Sequence, residues 1–340
     1  MRGKQYLIII FALIVAVILV LAAFELGLFN PKKQESSKHP TTEPFLWVIE
    51  GENPSYLYGS IHVGTEDVLT LPDVVMNALN QADAVYTEIK LDDITTYQTS
   101  SFLLLNGETL DDILPADVAS RLDSYLKTKG ASLKDFNVFK IWAIAVSLAQ
   151  FEYPQYFIKY QGGLDQYIWD LATSKGKETY GLETPYEQLS IFDGLTRDEQ
   201  IQLLNDSLAE INNYSINNED PLAELIDAYL DGDLDAFLEI EYQGYDESNP
   251  LYEKLLTEIL EDRNYNMTER ISENIINNPD KQFFFTIGAA HFIGEDNIIT
   301  LLEEKGYTVT QVSFSGCSKC GCDKGEEKIN DKCYIPYSPP

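Results

Sequence analysis

Across residues 45–314, short apolar runs bounded by turn formers sit at both ends, and apolar residues at helical spacing fill the middle. Phe45 to Ile49 and Tyr56 to Ile61 read as a hairpin turned at Glu52-Asn53-Pro54. Leu71-Pro72 leads into a helix over 73–81 that turns Val74, Val75, Ala78 and Leu79 inward. Ala84 to Ile89 reads as a strand with a carboxylate, Glu88, near its exit. Helical patterns follow over 115–129, 135–152, 164–175, 196–211, 222–231 and 251–277, interrupted by one strand from Glu178 that ends at Glu183. A strand from Phe283 to Ile287, a helix over 296–305 and a strand over 307–312 close the region. The pattern predicts an α/β fold, an α+β mixed sheet built from strands at both ends of the domain, with a large helical region near 95–275. Ligands in open α/β sheets bind beyond the carboxyl ends of strands. His62, Glu88, Glu183 and His291 all fall at such ends.

Ahead of this domain, Arg2 and Lys4 precede an unbroken apolar run from Tyr6 to Phe24. Nineteen residues at about 1.5 Å each reach roughly 28 Å, close to the hydrocarbon thickness of a bilayer. Leu21-Ala22-Ala23-Phe24 offers no small-x-small cleavage site, so residues 1–29 are expected to be a retained signal-anchor. Basic residues before the span place the N-terminus inside and the bulk of the chain outside the cytoplasm, although Lys32 and Lys33 weaken the asymmetry. Residues 30–44, rich in Pro, Ser, Thr and Lys, read as a tether to the domain at 45–314.

A net charge of −31 excludes nucleic acid as the partner, since phosphate neutralisation needs clustered Lys and Arg. All four cysteines, Cys317, Cys320, Cys322 and Cys333, fall in the tail 315–340, so the main domain has no thiol nucleophile. The tail spacing is compatible with a four-thiolate zinc knot or with two disulfides, the latter favoured by an oxidising exterior.

Only three histidines occur, and two share one local pattern: Gly59-Ser60-Ile61-His62 and Gly288-Ala289-Ala290-His291, each after an apolar run and each followed closely by another glycine. His39 lies in the polar linker. Two imidazoles on matching strand–turn units suggest one composite site, and imidazole is the commonest metal-ligand side chain. With one or two carboxylates they match the ligand set of a catalytic divalent-metal centre, where a nearby glutamate can take the proton of bound water. Arg263 interrupts an apolar helical stripe of Leu256, Ile259, Leu260, Met267 and Ile271. A guanidinium on a buried face needs an anion, for which Glu88, Glu183 or a substrate carboxylate are candidates. Glu183 could equally start a helix, and Asp165 reads first as a helix N-cap.

In these residues the chain resembles the TraB/GumN family, related to the TIKI metalloproteases that inactivate Wnt ligands. The resemblance runs from about Phe45 to Phe314 through Leu57-Tyr58-Gly59-Ser60-Ile61-His62, the strand ending Tyr86-Thr87-Glu88, Gly181-Leu182-Glu183-Thr184, Arg263-Asn264 and Gly288-Ala289-Ala290-His291. It implies a metal-dependent site with His62, His291 and Glu88 as ligands and Glu88, Arg263 and Glu183 as catalytic residues. It further implies a divalent ion such as Mn, Co or Zn and a peptide or protein substrate. The expectation is a membrane-anchored extracytoplasmic metallopeptidase. The alternative is a non-catalytic protein of the TraB type that sequesters a peptide signal.

Overall fold

The structure, a computed structural model, describes residues 40–157, 160, 162–241, 248–314, 327–329 and 332–335. The strands are β1 (Leu46–Ile49), β2 (Ser55–Ser60), β3 (Leu71–Pro72), β4 (Ala84–Ile89), β5 (Glu178–Glu183), β6 (Phe283–Gly288), β7 (Val309–Gln311), β8 (Glu327–Ile329) and β9 (Lys332–Ile335). Six of them form a mixed sheet in the order β5-β4-β6-β2-β1-β7. The central four, β5, β4, β6 and β2, run parallel, and β1 is antiparallel to both β2 and β7. Continuous apolar runs such as Phe283-Phe284-Phe285 suit strands buried on both faces. The fold is α/β with a helical middle, as the apolar pattern predicts.

That parallel arrangement brings four strand exits to one edge of the sheet. The two Gly-x-x-His segments are direct neighbours there: Gly59 pairs with Ile287 and Ser60 with Gly288. The helical middle builds a second core, around residues such as Leu122, Trp142, Ile144, Phe192, Leu204 and Leu255. Ala290, one residue before His291, packs against this core and against the sheet core. The site therefore lies where the two cores meet.

Two expected helices are divided. Residues 135–152 split into a 3-10 turn, Leu133–Phe136, and a helix, Ile141–Glu152. Between them the chain is tied back to Leu103 and Leu104 by the Lys140 N–H and a bridge at Phe139. Residues 251–277 form a helix Pro250–Leu256, a π turn Thr257–Glu261 and a helix Asp262–Asn277. Such turns interrupt α-helices by one extra residue and recur at functional sites.

Among the described residues no helix is long and apolar enough to cross a membrane. The expected anchor at 1–29 lies outside them, as do His39, Cys317, Cys320 and Cys322. Cys333 is disulfide-bonded. Its strand, β9, pairs antiparallel with β8 and with β3, which returns the tail to the main domain.

Candidate active site

Each imidazole arrives on a short turn at the end of its strand. After β6 the chain forms a 3-10 turn, Ala289–Phe292, that tucks His291 inside. The Phe292 ring stacks on Trp47 at 4.7 Å between centroids and holds this turn against the sheet. After β2, the His62 backbone is met by Gly163, which starts the helix Gly163–Ser174 with φ +62°. A Cβ on Gly163 would lie 2.5 Å from the His62 carbonyl carbon, so only glycine permits this approach.

His62, Glu88 and His291 converge on Gly288. A Cβ there would lie 3.1 Å from Glu88 Oε1, 3.7 Å from His291 Cδ2 and 3.8 Å from His62 Nε2. The Gly288 N–H donates to Glu88 Oε1 at 2.7 Å. Arg263 reaches the same point from the helix that follows the π turn. Its Nη2 donates to Glu88 Oε2 at 2.6 Å and to Glu183 Oε2 at 2.8 Å, and its Nε donates to Glu183 Oε2 at 2.9 Å. Arg263 Nη1 donates to the Ile259 carbonyl and to His291 Nε2, both at 3.1 Å. Gln188 Nε2 bridges the carboxylates, at 3.0 Å from Glu88 and 3.2 Å from Glu183. All five proposed site residues, His62, Glu88, Glu183, Arg263 and His291, are thus brought together.

Three partners were not read from the sequence as site residues. Asp165 Oδ2 lies 2.5 Å from His62 Nδ1, and its Oδ1 accepts from Ser60 Oγ at 2.6 Å. It does not cap the helix, which starts at Gly163 with Gly162 at its N-cap position and no side-chain cap. Asn264 Oδ1 lies 2.7 Å from His291 Nδ1. Gln188 sits on the helix Pro185–Asp193, whose cap is Thr184, so Glu183 is left to pair with Arg263. Asp165 and Asn264 each stood beside a feature already singled out, but only the fold brings them to the histidines. Ser60 donates to a carboxylate rather than to an imidazole, which is not the geometry of a serine nucleophile.

The two imidazoles differ electrostatically. Burial works to lower the basicity of His62, but the charge and hydrogen bond of Asp165, with Glu88 behind, outweigh it and push the pKa up to about 9. Burial and then the Arg263 charge push His291 down to about 3, so it is neutral at physiological pH. Burial favours protonation of Glu88, but Arg263 above all, then His291, His62 and the Gly288 N–H, hold its carboxyl well below the usual carboxylate range.

The donor chemistry suits a divalent cation. Each histidine has its Nδ1 held by an oxygen, the usual outer-shell arrangement for an imidazole that ligates through Nε2. Glu88, Glu183 and Asp165 outnumber the single guanidinium among the buried charges. Among the described residues, however, no group of three or more His, Cys, Asp or Glu side chains is already spaced to hold a metal ion.

The chain belongs to the TraB/PrgY/gumN family, whose model matches residues 45–311. It is 28% identical over 337 residues to metalloprotease TIKI1 of Xenopus tropicalis, covering 86% of this chain and 66% of that protein. With metalloprotease TIKI1 of Homo sapiens it shares 28% identity over 309 residues, covering 78% and 61% respectively. The uncharacterized protein YbaP of Shigella flexneri is 23% identical over 256 residues, covering 75% of this chain and 89% of that protein. The chain spans just under two thirds of the length of these TIKI relatives. No solved structure matches it.

Proposed function

We propose that this chain is a metal-dependent hydrolase acting on peptides, tethered to the membrane by residues 1–29 and facing outward. The observation that carries the reading is the meeting of His62 Nε2, His291 and Glu88 Oε1 around Gly288. His62 and His291 would hold a divalent ion through Nε2, with Glu88 as the third ligand. The ion, when bound, supplies Lewis acidity toward a carbonyl and acidifies water. For His291 to ligate, the hydrogen bond from Arg263 Nη1 must give way, which leaves that donor to face a substrate oxygen.

The remaining residues have distinct tasks. Glu88, ionised far below neutrality, is a poor proton acceptor and better suited to ligation. Arg263 offers directed donors where negative charge develops on an acyl oxygen. Glu183 and Gln188 hold that guanidinium and the Glu88 carboxylate in register.

Metal analysis of the purified full chain tests the proposal, combined with digestion of an unbiased peptide library with and without chelator. About one divalent ion per chain is expected, lost in the His62→Ala/His291→Ala double variant together with cleavage. Cleavage that survives chelation would overturn the metal-dependent reading. Peptide retention without cleavage would favour the sequestering alternative.

A further inference from the structure

We propose that Asn264 is a positioning residue for His291: its side-chain oxygen fixes the imidazole as the Nδ1–H tautomer and turns the Nε2 lone pair toward Arg263 and Glu88. Donors and acceptors leave one solution. Asn264 Nδ2 donates to the Asp296 carbonyl at 2.9 Å, so its Oδ1 is the atom facing His291 Nδ1 at 2.7 Å. That oxygen only accepts, and Nδ1 must carry the hydrogen. On the other side of the ring, Arg263 Nη1 only donates and stands 3.1 Å from Nε2, which must carry the lone pair. The opposite tautomer would set two donors against each other at one end of the ring and two acceptors at the other. His291 is only 2% exposed, so water offers little relief.

One imidazole is therefore clamped at both nitrogens by consecutive residues, which begin one residue beyond the π turn Thr257–Glu261 and its following Asp262. The chemistry of the clamp differs from that at His62, where the partner is the Asp165 carboxylate. A carboxylate at 264 would add a negative charge next to Glu88 and Glu183, which share the guanidinium of Arg263. The neutral amide orients the ring without that repulsion. The tautomer stands independently of the hydrolase reading; only its consequence for an ion rests on it.

The experiment labels histidines with 15N in the full chain under chelation and records long-range 1H–15N correlations. Only three histidines occur, and single His→Gln variants assign them. The wild type is expected to show His291 with protonated Nδ1 and unprotonated Nε2. Asn264→Leu removes the acceptor at Nδ1, so even with Arg263 still donating to Nε2 the Nδ1–H resonance should shift and exchange faster, and added Mn2+ should bind about 10–100-fold more weakly. Asn264→Asp retains an acceptor and should keep the Nδ1–H pattern. An unchanged Nδ1–H resonance and Mn2+ affinity in Asn264→Leu, or an Nε2–H form in the wild type, overturns the proposal. Should Asn264→Leu not fold, the wild-type and Asn264→Asp spectra still decide, since loss of the Nδ1–H form in the latter is equally fatal. A chain that binds none of Mn2+, Co2+ and Zn2+ defeats the hydrolase reading and leaves the tautomer result standing.

Discussion

Arg263 Nη2 donates to Glu88 Oε2 at 2.6 Å, and the two side chains are only 4% and 7% exposed. A buried pair of this kind contributes little net stability compared with an apolar pair, yet removing one partner strands the other. Arg263→Met leaves both Glu88 and Glu183 without their countercharge and is expected to cost about 3–5 kcal/mol in urea or thermal unfolding. Arg263→Lys should recover only part of this, because a point-like ammonium cannot serve two carboxylates and a carbonyl with fixed fork geometry.

The metal-free chain is expected to be most stable near pH 6.5. Burial and Arg263 keep His291 neutral in the fold down to about 3, while the unfolded chain takes up its proton near 6.5, so this stability is lost as pH falls between those values. Glu88, depressed chiefly by Arg263, adds stability present above the ordinary carboxylate pKa of about 4.3 and lost below it. His62, raised to about 9 by Asp165 against its burial, contributes stability that is full below 6.5 and lost as pH rises through 9. Unfolding midpoints from pH 3 to 10 in chelator measure the curve. Asp165→Asn should flatten its alkaline limb and leave the acid limb in place.

Gly288→Ala and Gly163→Ala separate two uses of glycine. The new methyl at 288 meets Glu88 Oε1 at 3.1 Å, an end-of-side-chain contact that can shift by a few tenths of an ångström. A folded protein with weaker divalent-ion binding is expected. At 163 the methyl would lie 2.5 Å from backbone of His62 on a residue with φ +62°, and neither can yield. That variant should lose at least about 1–3 kcal/mol, read as a lower unfolding midpoint.

His62→Ala and His291→Ala are expected to act unequally on stability. The alanine at 291 leaves Asn264 Oδ1 and an Arg263 donor unpaired in the interior, for a loss of about 1–3 kcal/mol per stranded group. His62 is 21% exposed, and water can reach the Asp165 carboxylate more readily once the ring is gone. Parallel denaturation curves in chelator check the order.

The sheet and its four strand exits were legible because β-runs such as Phe283 to Ile287 end abruptly at glycine or a carboxylate. Arg263 was legible for a similar reason: a charge in an apolar stripe has to find a partner. Asp165 and Asn264 were not, because their roles depend on contacts 103 and 27 residues away that no local pattern encodes. The helix Asp93–Phe102 escaped because it is rich in hydroxyls and buries only Thr95 fully. The start of Ile141–Glu152 was blurred because every residue from Ile141 to Phe151 is buried, which erases the polar face that marks a boundary.

Strand β6 lies between β4 and β2, and among the described residues no other strand joins the two halves of the sheet. It is made from residues 283–288, so a nascent chain remains unassembled at its centre until the whole helical middle has been synthesised. Whatever chemistry the cluster performs is withheld by the order of manufacture: a prematurely terminated product carries His62 and Glu88 but neither the strand that aligns them nor His291.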